Sequence, residues 1–299
     1  MIDQNLLWIP FTLAGAAGQV SRNAMQRNLT GPLGTLGATH VRFLFGLPFA
    51  VAFLAGALVL TGDHLVRPDA TFTPWLVVGG LAQIAGTALM LAAMKERSFV
   101  VATAYLKTEA IQTAVFGAIF LADHLTSLKI VGIVAASFGV ILTALKPGGL
   151  RGFGNLRPTL YGLFAASFMA LSSVGYRGAI LSFDGVSFVT AATMTLVATL
   201  LMQTILLSAW LIWREPGTMT RISQLWKASL GAGFLGAFAS LFWFLAFALT
   251  PAANVRTLAL VEVPVAQIAA RYGMKQSISL REIGGVVLIL IGVALLVAG

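Results

Sequence analysis

Apolar stretches of roughly 20 residues, separated by short polar breaks, run through the whole chain. Ten can be marked, at about 6–27, 33–60, 74–95, 98–122, 126–146, 158–180, 186–213, 225–249, 252–273 and 279–298. Continuous runs of this length predict helices that cross a bilayer. A membrane barrel would instead show about 10 residues of alternating polarity per strand, and open sheet edges are excluded from the hydrocarbon. The predicted fold class is therefore an all-α polytopic membrane protein with ten transmembrane helices. Some breaks are very short, such as Glu96-Arg97 and Thr250-Pro251, which forces sequential helices to lie antiparallel and adjacent.

The pattern also repeats. A shift of 153 positions lays Gly79–Ala144 on Ala232–Val297 without a gap. Glu109 then meets Glu262, Gly80 meets Gly233, Gly132 meets Gly285 and Gly139 meets Gly292. The match is good for spans three to five against eight to ten and weak for spans one and two against six and seven. Lys146–Pro158, with Pro147-Gly148-Gly149, reads as the linker. The expected organisation is a first repeat over 1–146, a linker over 147–157 and a second repeat over 158–299. Five spans per repeat is an odd number, so the second repeat enters the membrane inverted, around a central cavity.

Composition agrees with this picture. The chain is 58% hydrophobic and 10% charged, against about 25% charged in soluble domains, and its mean hydropathy is +0.91. The net charge of +9 is read as basic residues at cytoplasmic helix ends, not as a nucleic-acid surface. Thirteen Lys and Arg fall at odd-numbered connections and three, Arg67, Lys129 and Arg177, at even ones. That imbalance predicts cytoplasmic odd connections and both termini outside. The first apolar run lacks a basic leader and is expected to be a retained span. Without cysteine there is no disulfide or thiol chemistry.

The candidate chemistry is sparse. No hydrolase, metalloprotease or nucleotide-binding motif is present, and His40, His64 and His124 are scattered, so neither an enzyme nor a metal or cofactor is expected. Eight of the ten acids lie near termini or connections; only Glu109 and Glu262 lie mid-span. A carboxylate there needs a partner, a watery cavity or a proton. Two readings stay open for each: substrate or proton handling, or a structural carboxyl beside a broken helix. The second is notable for Glu262, because Pro264 bends its span. Lys107 and Arg256 are the deep cations, each off the face of the glutamate in its own span. Candidate cavity residues are Gln19 and Asn23 in span one, Gln83 in span three, and Tyr105, Lys107, Glu109 and Gln112 in span four. Tyr176 in span six, Trp243 in span eight and Glu262 in span nine complete the set. Tyr105, Glu109 and Gln112 would share one helical face.

Several segments resemble the EamA family of the drug/metabolite transporter superfamily. These are Leu121-Ala122-Asp123-His124-Leu125-Thr126 with the glycine-bearing span after it, Val261-Glu262-Val263-Pro264-Val265-Ala266, Thr250-Pro251-Ala252-Ala253 and Arg42-Phe43. The resemblance covers nearly the whole chain. It implies a ten-helix secondary transporter of the bacterial inner membrane that exports small metabolites, amino acids and aromatic ones among them, by alternating access. A small-molecule substrate, the lipid bilayer and a proton as coupling ion are the implied partners, with a monomer as the unit. Multidrug efflux, sugar-phosphate transport and a non-transporting membrane scaffold remain as alternatives. Where members carry a Gly-Glu, Tyr272-Gly273-Met274-Lys275 stands here. Members also commonly have cytoplasmic termini, whereas the charge pattern of this chain places them outside.

Overall fold

The computed structural model describes residues 6–96, 106–144, 156–265 and 279–299. Linker residues 147–155, the start of span four with Tyr105, and the end of span nine with Tyr272–Lys275 lie outside the described residues. Helices are α1 Trp8–Leu44, α2 Leu47–Thr61, α3 Phe72–Glu96, α4 Glu109–Phe120, α5 Ser127–Ala144 and α6 Leu156–Leu181, followed by α7 Phe188–Arg214, α8 Pro216–Gln224, α9 Trp226–Leu249, α10 Ala252–Leu258 and α11 Leu280–Ala298. All ten expected spans are represented among them. Among the described residues, six helical stretches are each long and apolar enough to cross a membrane, with Trp8–Thr61 counting as one. Large side chains such as Val59, Leu60, Ile119 and Trp213 face outward, as a lipid-facing surface requires.

Spans one and two are divided differently from the expectation. The polar stretch near 28–31 looked like a connection, but the helix continues through it to Gly34. There φ is 71° and ψ 177°, a conformation essentially confined to glycine. Pro32 just before it removes a backbone donor. Span one therefore ends about six residues later than its apolar run suggested. In span nine, α10 gives way to a single 3₁₀ turn, Ala259–Val261. Pro264 cannot donate to Leu260 and its ring crowds that carbonyl, so the bend falls one turn before the proline. The unanticipated α8 starts with Pro216 at its first turn, a position where the missing N–H costs nothing.

The helices pack mainly across the two repeats. α1 lies along α9, α3 along α6, α2 along α7 and α5 along α11. Under an inverted repeat, spans one and eight exchange with spans six and three, while two–seven and five–ten map onto themselves. The contacts obey that symmetry in detail. A Cβ on Gly132 would lie 2.6 Å from the Gly292 carbonyl oxygen, and one on Gly139 would lie 2.6 Å from that of Gly285. The 153 shift converts the first contact into the second. The same logic explains the poor match of spans one and six. Gly18 faces Ala239, and Gly86, the counterpart of Ala239, faces Met169. Gly18 thus corresponds to Met169, and 169 less 18 gives a shift of 151, a two-residue slip that a gap-free comparison hides.

Two clasps sit at the helix ends. Arg177 Nε lies 3.4 Å from Asp123 Oδ1, and its Nη1 donates to the carbonyls of Phe247 (2.6 Å) and Thr250 (2.7 Å) at the end of α9. Asp63, in the connection before α3, accepts from Thr190 Oγ1 (2.6 Å) and from the Ser187 N–H (3.0 Å). These bonds hold its carboxyl well below the usual carboxylate range. Arg177 is thus tied into the bundle, and Arg22, inside α1, is buried at 2% exposure, so neither belongs to a connection. Removing Arg22 from the thirteen and Arg177 from the three leaves twelve against two, so the charge bias survives.

The α5–α11 contact makes a direct prediction. Gly139→Ala places a methyl against backbone that cannot retreat and should lower thermal stability in detergent, by about 1–3 kcal/mol. Gly56→Ala, in mid-α2 with nothing within 4 Å, should be neutral or stabilising by up to about 1 kcal/mol. Equal melting temperatures for the two variants would contradict the packing.

Candidate functional site

Register brings charge into the centre. On α1 the buried positions Gly15, Gly18, Arg22, Gln26, Leu29 and Leu33 recur every three or four residues, the spacing of one helical face. The two glycines let α9 approach, with Trp243 against Gly15 and Ala239 against Gly18. Arg22 is carried inward on the same face and is 2% exposed. Past the kink, α1 is buried from Gly37 to Phe43, and Arg42 is also 2% exposed.

Two ion pairs cross between the repeats. Arg256 Nε lies 2.8 Å from Glu109 Oε1, and Lys107 Nζ meets Glu262 Oε1. Each glutamate thus finds its cation in the other repeat. Ser173 of α6 sits at the first pair, accepting from Arg256 Nε at 2.9 Å and donating to Glu109 Oε1 at 3.3 Å. The Arg256 guanidinium also lies 4.5 Å from the centre of the Trp243 ring and 5.4 Å from that of Phe247, within cation–π range. All four ion-paired side chains are 11–17% exposed. Pairs this deep offset a large desolvation cost only while both partners are present. Glu109 opens α4, where a negative charge is favoured by the helix dipole.

Beside the first pair lies a cavity of about 10 Å³, room for about one water. Gln19, Arg22, Arg42, Gln83, Tyr176, Ser240 and Arg256 supply its polar lining, and Met169, Trp243, Phe244 and Phe247 its apolar wall. Tyr176 donates to Gln83 Oε1 at 2.8 Å, and Gln203 Nε2 reaches both Gln83 Oε1 (3.0 Å) and the Tyr176 hydroxyl (3.1 Å). That network fixes α3, α6 and α7 against one another.

The expected residues divide accordingly. Gln19, Gln83, Tyr176 and Trp243 line the cavity. Lys107, Glu109 and Glu262 form the ion pairs. Asn23 does not line the cavity; its Oδ1 accepts from Arg22 Nη2 at 2.7 Å and orients that arginine. Gln112 departs from the expected stripe. Lys107 and Thr108 form a turn before the helix that begins at Glu109, and Gln112 is not among the cavity-lining residues; its Nε2 donates to Thr108 Oγ1 at 3.1 Å. Tyr105 lies outside the described residues. Sequence reasoning missed Arg22, which it counted at a connection, and it took Arg42 only as part of a motif. The available signal was the Gln19–Arg22 spacing of three, once span one is extended to Gly34.

Comparison with known proteins agrees with this architecture. The model of the EamA-like transporter family matches residues 6–145 and again 156–298. Similar in fold is a solved structure described only as "Crystal structure of protein", with a TM-score of 0.67 and 17% identity, covering 98% of this chain and 94% of that one. No curated protein gave a significant match.

The crossed pair Glu109–Arg256 can be measured by a double-mutant cycle. Glu109→Gln and Arg256→Gln should each lower the melting temperature in detergent. The double variant should lose less than the sum, with a coupling of about 1–3 kcal/mol. Additive losses would show that the two side chains are not energetically linked.

Proposed function

The chain belongs to the EamA-like transporter family, whose model matches it twice, and from that premise we propose that it is a secondary transporter exporting small metabolites of the amino-acid kind by alternating access. The observation that carries the reading is the closed centre: the space enclosed between the repeats holds about one water, at about 10 Å³, while crossed ion pairs hold the repeats together. A metabolite fits only if the repeats part. The lining combines guanidinium groups, which suit a carboxylate, with the rings of Trp243, Phe244 and Phe247, which suit an apolar side chain. Parting the repeats on one side at a time delivers the site alternately to each face. Glycines at the contacts between the repeats permit sliding, and the bends near Gly34 and Pro264 are natural hinges.

Charge pairing gives the proposal its energetics. Opening exposes Glu109, Arg256, Lys107 and Glu262 to water, which repays part of the Coulomb energy lost. The pairs can therefore break and re-form without stranding a charge in hydrocarbon. The charge bias supports cytoplasmic odd connections and external termini. Multidrug transport shares this fold, but a lining so rich in fixed charge suits a polar head group better than a set of lipophilic drugs.

Flux in proteoliposomes, measured for a panel of amino acids and related amine-free carboxylates with and without a pH gradient, tests the reading. Transport of at least one aromatic amino acid or related carboxylate is expected, with Glu109→Gln and Glu262→Gln each reducing it at least tenfold. No flux of any candidate sinks the reading, and indifference to the gradient removes proton coupling. Orientation is checked by thiol labelling in intact cells, since the chain has no native cysteine. His64→Cys should react with an impermeant reagent added outside and Ser223→Cys should not; the reverse result would invert the topology.

A further inference from the structure

The central cavity has an imbalance of charge. Three arginines line it and no carboxylate does. Arg256 is neutralised by Glu109, and the other mid-membrane acid, Glu262, is taken by Lys107. Among the described residues Arg22 and Arg42 have no acidic partner. Arg22 is held by the side chain of its neighbour Asn23. Arg42 donates to two hydroxyls, Thr87 Oγ1 at 3.4 Å and Ser240 Oγ at 3.3 Å, at the long end for charge-assisted bonds, and lies 5.2 Å from the centre of the Phe43 ring. Two buried polar atoms of the cavity-lining residues have no hydrogen-bond partner in the protein, Arg42 Nε and Trp243 Nε1. Both are donors. An arginine deep in a membrane protein is expensive unless a counter-charge or a watery path meets it, and here two sit at one closed cavity.

The geometry points to an organic-anion site, in which a carboxylate head is held between Arg22 and Arg42 and an apolar body lies against Trp243, Phe244 and Phe247. This rests on the transport reading and narrows its substrate class from amino acids to related carboxylates without an amine: the substrate carries net negative charge. A zwitterion brings an ammonium group that needs an acid, and both mid-membrane acids are already committed to cations of the opposite repeat. An anion without an amine satisfies the two arginines and the two idle donors and competes for neither glutamate when the crossed pairs re-form. Guanidinium suits this role because it is always charged and presents a planar fork to an oxyanion. Asn23 and Ser240 then act as positioning residues, aiming Arg22 and Arg42.

The test keeps the aromatic body constant and varies the head. Melting temperature is measured on the full chain in low-chloride detergent buffer with 3-phenylpropanoate (anion), phenylalanine (zwitterion) or 2-phenylethylamine (cation). The anion should stabilise, phenylalanine should need at least tenfold higher concentration for the same shift, and the amine should do nothing. Arg22→Gln and Arg42→Gln should melt no lower than the parent without ligand, because each removes an unneutralised buried charge, and both should lose the anion-dependent shift. Equal stabilisation by phenylalanine or the amine overturns the proposal. So does an anion shift retained in both variants, or a fall in unliganded stability of both, which would make the arginines structural. Flux of 3-phenylpropanoate in proteoliposomes separates the two levels. Anion-specific stabilisation without flux leaves the site and removes the transport reading, whereas flux of phenylalanine at the same rate as the anion leaves transport and removes the anion site.

Discussion

Everything central in this molecule depends on one constraint: a charge in the membrane interior must meet a counter-charge or water. Glu109 and Glu262 sit where neither is available within their own helices. Each is met by a cation from the other repeat. The consequence is mechanical as well as electrostatic. A repeat cannot move away from its partner without unpairing two carboxylates, so movement is admissible only where water enters as the pairs part. The pairs thereby join the state of the cavity to the separation of the repeats.

Helix packing prepares the ground for that link. Lipid is as apolar as leucine, so hydrophobic burial does little to hold helices together in a bilayer, and close backbone contact through small residues matters more. Gly132, Gly139, Gly285 and Gly292 bring α5 and α11 together until carbonyl oxygens nearly touch where a Cβ would be. Gly79 and Gly175 do the same for α3 and α6, where a Cβ on Gly175 would lie 2.7 Å from the Gly79 Cα. These contacts join the two repeats. In the middle the crossed pairs add to this packing, and the space there is enclosed by longer polar side chains.

The spans and the inversion were legible because both are local patterns, of apolar run length and of a residue shift. Three features were not. The first helix runs past its polar stretch to Gly34, because polar residues are tolerated once a helix leaves the hydrocarbon. A run-length reading cannot see that, and it left Arg22 at a connection. The stripe of Tyr105, Glu109 and Gln112 was expected to face the cavity, but the chain turns at Lys107 and Thr108, and Gln112 donates to Thr108 instead. The partners of the glutamates were hidden for a different reason. Helical spacing correctly denied Lys107 to Glu109 and Arg256 to Glu262, yet it carries no information on which distant cation closes each pair. Tertiary packing of α4 against α10 decides that.

The duplication also shows how a symmetric frame acquires an asymmetric site. On the 153 register the glutamates correspond, but their cations do not: Lys107 falls on Leu260 and Arg256 on Thr103. Each repeat contributes one carboxylate and one cation, placed at different offsets, so the two pairs have different surroundings. The Glu109–Arg256 pair borders the arginine-lined cavity and is backed by Trp243 and Ser173. The Lys107–Glu262 pair sits beside the bend before Pro264, where Glu262 Oε2 has no partner in the protein. A frame with two equal pairs would have no reason to favour one direction of opening. Unequal pairs break with unequal cost, so under the proposed alternating access the states open on the two sides would differ in energy.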